Sequence, residues 1–222
     1  MGRQKSVVVT GGTVRLGKVI ADFLAKEGWR VLASSHRPDS GADIVADLSS
    51  TDGADRLFEE ACRILGGLPD ALVNNASLFS LGSDDFSQVN FLSPRHLVEL
   101  MALRQGSVGA IVNILDTRIL GREALTPYEK DKAALRDFTL EAARKYAGSL
   151  RVNAVAPGPV LLPQSVIEKA GLTPFGRPEP IDVAHAVSFL LFAKSTTGAI
   201  IPVDGGQAAL CTQTPPRYIC VR

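Results

Sequence analysis

Tyr128 and Lys132 are the pair of residues best suited to acid–base chemistry, and they lie four positions apart in the segment Tyr128-Glu129-Lys130-Asp131-Lys132. In an α-helix, residues with this spacing share one face, so an ammonium group would stand beside a phenol. A neighbouring cation favours the phenolate, which lets the phenol exchange a proton below its ordinary pKa of about 10. The pair is therefore a candidate for proton transfer, with an exposed pair of helix side chains as the simpler alternative.

A second candidate site is the glycine-bearing segment at residues 10–17, which reads Thr-Gly-Gly-Thr-Val-Arg-Leu-Gly and lies between an apolar run and a helical pattern. Glycines there permit a tight turn and a close approach of the backbone, and the N-terminus of the following helix attracts a pyrophosphate. The segment favours a dinucleotide site, although a plain strand-to-helix turn has the same appearance.

The end of the second predicted strand, Ser34-Ser35-His36-Arg37, indicates which dinucleotide would bind. Sheets that bind NAD commonly place Asp or Glu at this position, where it accepts hydrogen bonds from the ribose hydroxyls. Here no carboxylate would repel a 2′-phosphate, and Arg37 offers a planar fork of donors to bind one. The sequence therefore predicts NADPH or NADP⁺ rather than NADH, with a solvated surface arginine as the alternative.

The elements that must position these residues follow from short apolar runs that alternate with helical patterns. The predicted strands are residues 7–9, 30–34, 43–46, 71–74, 110–115, 151–156 and 200–203. The predicted helices are residues 18–28, 51–65, 85–104 with an irregularity at Pro94, 127–146 and 180–192. Repeated strand, crossover helix and strand units imply an α/β fold, a doubly wound Rossmann-type parallel sheet with helices on both faces. Its ligand would lie at the carboxyl ends of the strands.

Composition excludes several classes of protein. With 222 residues, 45% of them hydrophobic and no linker or repeat, the chain is predicted to be a single domain over residues 1–222, with residues 207–222 as a tail that frays or packs on another subunit. The net charge of +1 gives no field to favour nucleic acid or an anionic membrane. The longest strongly apolar stretch, residues 187–193, is far shorter than the roughly 20 residues of a membrane span. Three cysteines and three scattered histidines indicate a reduced, cytoplasmic protein without a metal site.

Taken in chain order, these segments resemble the short-chain dehydrogenase/reductase superfamily over nearly the full length. The features that carry the resemblance are residues 10–17, Asp47-Leu48, Asn74-Asn75-Ala76, Val89-Asn90, Tyr128 with Lys132, residues 152–158 (Val-Asn-Ala-Val-Ala-Pro-Gly) and Val203-Asp204-Gly205-Gly206.

The resemblance implies a role for each matching residue. Tyr128 would be the general acid, Lys132 would lower its pKa and bind the nicotinamide ribose, and Asn90 would support a water relay to Lys132. The remaining implied cofactor contacts are Gly11, Thr13, Arg15, Leu16 and Gly17 in the loop, His36 and Arg37 at the 2′-phosphate, Asp47 and Leu48 at the adenine, Asn74 and Ala76 on the ribose side, and Pro157, Gly158 and Val160 at the nicotinamide.

Three departures from the superfamily pattern narrow the resemblance. The usual middle glycine of the loop is Arg15, the usual glycine after Asn-Asn-Ala is Ser77, and the usual serine before the catalytic tyrosine is Asp116. Together with His36-Arg37, these departures look like the pteridine reductase and dihydromonapterin reductase branch, whose active site uses Asp with Tyr and Lys.

Asp116 also has a chemical meaning of its own. A serine hydroxyl donates to a substrate carbonyl, whereas an ionised carboxylate only accepts and would repel a developing alkoxide. Asp116 therefore suits a substrate with N–H or amino donors, such as a 2-amino-4-oxopteridine. Hydride would pass from NADPH to a C=N carbon, with a proton supplied through Tyr128, Asp116 or water. The other predicted substrate contacts are Arg15, Ser77, Phe79 and Leu161, the last at the start of a short substrate lid over residues 161–171.

The sequence thus predicts an NADPH-dependent reductase of a dihydropterin of the dihydromonapterin, dihydrobiopterin or dihydrofolate type. The first alternative is a reductase of ketones or 3-oxoacyl thioesters, favoured if Thr117 rather than Asp116 faces the nicotinamide. The second is a sensor or scaffold that binds NADPH without turnover. Because superfamily members often pair the helix predicted at residues 127–146 with its copy, we expect a homo-oligomer, either a tetramer or a dimer.

Overall fold

Seven parallel strands form one sheet in the order β3-β2-β1-β4-β5-β6-β7 in the computed structural model, which describes residues 3–79, 85–103, 108–120, 126–161 and 173–211. The strands are Ser6–Val9 (β1), Arg30–Ser35 (β2), Ile44–Val45 (β3), Ala71–Asn74 (β4), Gly109–Ile114 (β5), Leu150–Pro157 (β6) and Ile200–Val203 (β7). The α-helices are Arg15–Lys26 (α1), Gly53–Leu65 (α2), Ser93–Leu103 (α3), Pro127–Lys145 (α4), Pro180–Phe192 (α5) and Gln207–Cys211 (α6).

The core lies in two layers, one on each face of the sheet. On one face, Val7 and Val9 of β1 pack with Ile20 and Leu24 of α1 and with Leu190 of α5. On the other face, alternate residues of the same strands meet α2, α3 and α4. Because successive side chains of a strand point to opposite faces, a sheet covered on both sides needs strands that are apolar throughout. The predicted doubly wound α/β fold is confirmed.

One helix begins differently from its prediction. Residues 85–104 were expected to form one helix with an irregularity at Pro94, but a π-helical turn, Gln88–Leu92, precedes α3 and the Ser93 N–H donates to the Gln88 carbonyl. Pro94 has no N–H to donate to the Asn90 carbonyl four residues earlier, so the regular α-helical ladder is interrupted there. The irregularity therefore lies on the N-terminal side of Pro94 and centres on Asn90.

The end of α5 is held by a half-buried arginine on β6. Arg151 donates to the carbonyls of Leu190 at 2.8 Å, Leu191 at 2.8 Å and Ala193 at 2.9 Å. Burial lowers the pKa of Arg151 below its ordinary value. The guanidinium thus satisfies carbonyls that the last helical turn leaves without an N–H partner.

Replacing Arg151 by Met is therefore expected to lower the free energy of unfolding by about 3 kcal/mol, because several buried carbonyls lose their donors together. Urea unfolding followed by circular dichroism measures this loss. Arg144→Met on the exposed face of α4 is the matched control and is expected to change stability by less than about 0.5 kcal/mol. Equal losses in the two variants would contradict the assigned role of Arg151.

Within the described residues, no helix is long and apolar enough to span a membrane. The same part of the chain contains no group of three or more His, Cys, Asp or Glu side chains arranged to hold a metal ion. The segment at residues 212–222 of the predicted tail lies outside the described residues.

Candidate active site

The glycine-bearing loop between β1 and α1 is tied to the end of β4. Thr10 Oγ1 accepts hydrogen bonds from the backbone N–H groups of Asn75 and Ala76, each at 2.9 Å. The Asn75 amide donates in return to the carbonyls of Thr10 at 2.9 Å and Gly11 at 3.3 Å. Where β1 and β4 end, these side-chain hydrogen bonds take the place of the backbone hydrogen bonds between the strands. They hold the loop at the carboxyl edge of the sheet.

Two loop residues show how closely the backbone packs here. A Cβ atom on Gly17 would lie 2.1 Å from the Gly11 carbonyl oxygen, which is far inside contact distance. Thr13 Oγ1 is buried and has no hydrogen-bond partner among the described residues. A backbone-lined cradle with a free hydroxyl at the N-terminus of α1 is suited to a pyrophosphate. The pyrophosphate contacts expected of Gly11, Thr13, Leu16 and Gly17 stay predictions.

Arg15 connects the loop to the far side of the cleft. It is the single non-glycine residue with a positive φ, 50°, in the described part of the chain, at the position where the superfamily usually has glycine. Its guanidinium donates to the Leu161 carbonyl at 3.1 Å. Arg15 and Leu161 thus meet across the cleft, while residues 162–171 of the predicted lid lie outside the described residues.

The adenosine end of the predicted site lies at β2 and β3. His36 and Arg37 follow β2 and are exposed. Asp47 is also exposed, and hydrogen bonds from Ser49 lower the pKa of its carboxyl group. Leu48 is buried, with 6% of its surface exposed. These four residues stand at one edge of the sheet, as expected, with Arg37 available to an anion.

Asp116 and Tyr128 meet at the centre of the carboxyl edge. Asp116 is the second residue after β5 and caps a short 3₁₀-helix, Thr117–Ile119. The Tyr128 hydroxyl, from the first turn of α4, donates to Asp116 Oδ2 at 3.1 Å. A capping box between Thr126 and Glu129 fixes the start of α4 and therefore the direction of Tyr128.

Arg118 is a site residue that the sequence analysis missed. Its Nε donates to Asp116 Oδ1 at 3.1 Å, its Nη2 to Oδ2 at 2.9 Å, and its backbone N–H to Oδ1 at 2.9 Å. The guanidinium carbon lies 4.8 Å from the ring centroid of Phe79 and 5.1 Å from that of Tyr128. The two rings meet edge to face at 5.0 Å. Only its place two residues after Asp116 hinted at this role.

The surroundings of Tyr128 favour the protonated phenol. Burial is the largest cause that raises the pKa of Tyr128 above its ordinary value, and the negative charge of Asp116 raises it further. The positive charge of Arg118 opposes this shift. A protonated hydroxyl is the form that a general acid needs. The lowering of this pKa by Lys132, which the resemblance implies, stays a prediction.

Lys132 is buried one helical turn from Tyr128. Its Nζ donates to the Ile114 carbonyl at 2.9 Å and lies 5.8 Å from the centroid of the Tyr128 ring. Burial lowers the pKa of Lys132 to about 8, against the charges of Asp116 and Asp131. The lysine therefore titrates within the range in which an enzyme works.

Asn90 lies at the π-helical turn, and its side chain clamps the segment that leads to Phe79. Its Oδ1 accepts from the Ser77 hydroxyl and the Leu78 N–H, both at 2.9 Å, and its Nδ2 donates to the Leu78 carbonyl at 2.9 Å. The side chain is thereby committed to the protein. A water relay through Asn90, which stays a prediction, would use its backbone carbonyl.

The Asn74 side chain bonds to neighbouring parts of the sheet, and the predicted place of this residue on the ribose side stays a prediction. Its side chain is buried, and its Nδ2 donates to Asn113 Oδ1 at 2.8 Å and to the Pro94 carbonyl at 3.3 Å. Because Asn74 and Asn113 are paired in register on β4 and β5, the two amides link neighbouring strands. The Asn74 side chain thus serves the sheet, and only its backbone stands at the edge beside Ala76.

The nicotinamide end of the predicted site lies where β6 meets β7. The Gly158 N–H donates to the Val203 carbonyl at 2.9 Å, and a Cβ on Gly158 would lie 2.8 Å from Asp204. Pro157 ends β6, and the buried Val160 turns back onto Gly158. The buried Thr117 hydroxyl donates to Asp204 Oδ2 at 2.6 Å, so its proton is committed to the protein.

Comparisons with known proteins agree with this geometry. Residues 5–169 match the family model described as short chain dehydrogenase. The cyclopentanol dehydrogenase of Comamonas sp. (strain NCIMB 9872) is 31% identical, in an alignment that covers 94% of this chain and all of that protein.

Two crystal structures have a similar fold. FolM alternative dihydrofolate reductase 1 from Brucella canis, complexed with NADP, superposes with a TM-score of 0.78 at 29% identity, over 95% of this chain and 96% of that one. The Brucella suis protein of the same name, also with NADP, gives a TM-score of 0.76 at 31% identity, over 95% and 97%. The superfamily predicted from the sequence is confirmed. The chain belongs to the short-chain dehydrogenase family and is an NAD(P)-dependent oxidoreductase.

Proposed function

We propose that the protein is an NADPH-dependent reductase that transfers a hydride to a C=N bond of a dihydropterin. The observation that carries this proposal is that the Tyr128 hydroxyl donates to the Asp116 carboxylate at 3.1 Å. A ketone substrate would be served better by a hydroxyl donor at the position of Asp116. A carboxylate accepts from the amino and ring N–H groups of an aminopteridine and repels the oxyanion of a ketone reduction. Similarity to two proteins named alternative dihydrofolate reductases supports the same substrate class.

The cofactor would lie along the carboxyl edge of the sheet. Bound NADPH supplies the hydride. The loop at residues 10–17 would hold its pyrophosphate, and the exposed Arg37 would pair with its 2′-phosphate, since β2 ends without a carboxylate. Lys132 would hold the nicotinamide ribose from its buried position below Tyr128.

The proton would come from Tyr128. Burial and Asp116 keep the phenol protonated in the absence of substrate, so the hydroxyl is ready to donate as hydride arrives at carbon. Phe79 is half exposed and stands edge to face with Tyr128, so it offers a wall for a flat ring. Arg15 and Ser77 would complete the pocket from the loop and from the end of β4.

A carbonyl substrate is the second candidate, and the similarity to a cyclopentanol dehydrogenase favours it. In that reaction Tyr128 would still donate the proton, but Asp116 would face a developing alkoxide. With Thr117 bound to Asp204, no described hydroxyl on the segment after β5 takes the place of the usual serine.

The test is consumption of NADPH or NADH with dihydromonapterin, dihydrobiopterin, dihydrofolate, simple ketones and an acetoacetyl thioester. We expect turnover of a dihydropterin with NADPH. Turnover of ketones alone would overturn the pterin proposal.

The variant Asp116→Ser should lose at least about tenfold in kcat/KM on the pterin and gain activity on ketones, since the repulsive charge is removed.

The variant Arg37→Ala should raise the KM for NADPH about tenfold and leave the KM for NADH unchanged.

The pH dependence follows from Lys132. Its pKa of about 8 means that it is charged below this pH and neutral above it. The charged form holds the ribose hydroxyls and feeds the proton to Tyr128, so kcat/KM for NADPH, which reports the free enzyme, should fall as pH rises through about 8. In Lys132→Arg, which stays charged, this decrease should vanish from the residual activity. A decrease that persists in the variant would belong to another group.

We further propose a cytoplasmic homo-oligomer, a tetramer or a dimer. The amino-acid composition supports the cytoplasmic location, and the family resemblance supports the assembly. Light scattering of the purified protein measures the mass directly, and a monomer would contradict the proposed assembly.

A further inference from the structure

We propose that, in the enzyme without substrate, the Arg118 guanidinium fills hydrogen-bond acceptor positions of Asp116. A planar pair of N–H donors on the substrate binds to the same positions, and substrate binding therefore displaces the guanidinium. The inference rests on the proposed function, because it identifies the part of the pteridine that Asp116 recognises.

The hydrogen bonds of Asp116 leave no room for a further donor. A carboxylate has about four acceptor sites. Oδ1 accepts from the Arg118 backbone N–H and Nε, and Oδ2 accepts from Arg118 Nη2 and the Tyr128 hydroxyl. Two of the four bonds therefore come from the guanidinium. A substrate whose donors reach Asp116 must first remove that group, while the backbone N–H of Arg118 stays in place.

The guanidinium has the shape of the group it would give way to. It is planar and presents parallel N–H donors, as does the edge formed by the 2-amino group and the adjacent ring N–H of an aminopteridine. It also lies over Phe79, at 4.8 Å from the ring centroid, where a flat substrate ring would stack. Arg118 thus makes both contacts expected of the substrate.

The contact is suited to displacement. Arg118 keeps 32% of its side-chain surface exposed, and Asp116 keeps 17%, so the ion pair is open to solvent on one side. The guanidinium stays a cation after it leaves the carboxylate, because an arginine side chain does not lose its proton in water. A ketone without donors could not replace the lost hydrogen bonds and would leave the carboxylate unpaired. Displacement of Arg118 therefore favours substrates that present two parallel N–H donors.

The test is binding of 2-amino-4-oxopteridine, which has a ring N–H beside its 2-amino group, to the NADP⁺-loaded enzyme by calorimetry. Arg118→Met, which keeps length and removes the fork, should lower Kd about tenfold, since the ligand no longer competes with an ion pair and a ring contact. Arg118→Lys, which cannot form the fork, should lower Kd by a smaller factor and serves if the Met variant does not fold. If the wild type binds the pteridine, unchanged or weaker binding in the folded variants would overturn the inference.

Arg95→Met is the matched control. Arg95 also pairs with a carboxylate, Glu99 at 2.9 Å, and lies 5.7 Å from a ring centroid, that of Phe138, but it is on α3 away from Asp116. The Kd of the Arg95→Met variant for the pteridine should equal that of the wild type.

A second probe separates this inference from the choice of substrate. Methylguanidine should raise the Tm of Arg118→Ala, where it can occupy the vacated place, but not that of the wild type or of Arg118→Ala with Asp116→Asn. If no variant binds the pteridine and methylguanidine still stabilises Arg118→Ala, the proposed substrate is wrong and the role of Arg118 stands. If methylguanidine has no effect on Arg118→Ala either, the role of Arg118 is wrong.

Discussion

Replacing Tyr128 by Phe is expected to lower kcat by about 10²–10⁴-fold with little change in the affinity for NADPH. The hydroxyl is the protonated group at the centre of the site, and it donates to Asp116 Oδ2. The ring keeps its contact with Phe79 in the variant, so the pocket retains its shape. The measurement is NADPH consumption at saturating substrate, with cofactor binding followed separately by fluorescence.

Tyr146→Phe provides the control for this experiment. Tyr146 follows the last turn of the same helix, α4, far along it from Tyr128. Its turnover should stay within about twofold of the wild type. A Tyr128→Phe variant that retains most of its activity would show that Asp116 or water delivers the proton, and would remove Tyr128 from the role of general acid.

Gly17→Ala is expected to abolish NADPH binding at ordinary cofactor concentrations and to lower the free energy of unfolding by about 3 kcal/mol. The added Cβ would lie 2.1 Å from the Gly11 carbonyl oxygen and 2.4 Å from Asn75 Nδ2. Neither atom can withdraw freely, because Asn75 is bonded to the carbonyls of Thr10 and Gly11. The loop that would hold the pyrophosphate must therefore move away from β4.

Thermal unfolding with and without NADPH measures both effects. A loss of 3 kcal/mol corresponds to a decrease in Tm of about 6–12 °C for a chain of this size. Gly67→Ala is the control, since a Cβ there meets nothing within 4 Å and the residue lies on the surface after α2. A Gly17→Ala variant that binds NADPH as the wild type does would show that the loop is not packed against β4 in this way.

The main features of the fold could be predicted because they depend on patterns that are local in the chain. Runs of β-branched residues and helical spacing predicted the positions of all seven strands, and β4, β7 and α5 begin and end at the predicted residues. The helix before β5 was harder to delimit, since the π-helical turn at Asn90 depends on the missing N–H of Pro94 and on the clamp to Ser77 and Leu78. A periodicity of 3.6 residues does not contain that information.

The sequence by itself determined the family, the carboxyl edge as the place of the candidate site, and the chemical types of Asp116, Tyr128 and Lys132. Only the tertiary structure decided the partners of these groups. The fork between Arg118 and Asp116, the inward direction of Asn74 and the bond from Thr117 to Asp204 join residues through the backbone geometry after β5 and across neighbouring strands. A side chain's residue type fixes which hydrogen bonds it can make, but the packing of the strands and turns around it selects which of them form.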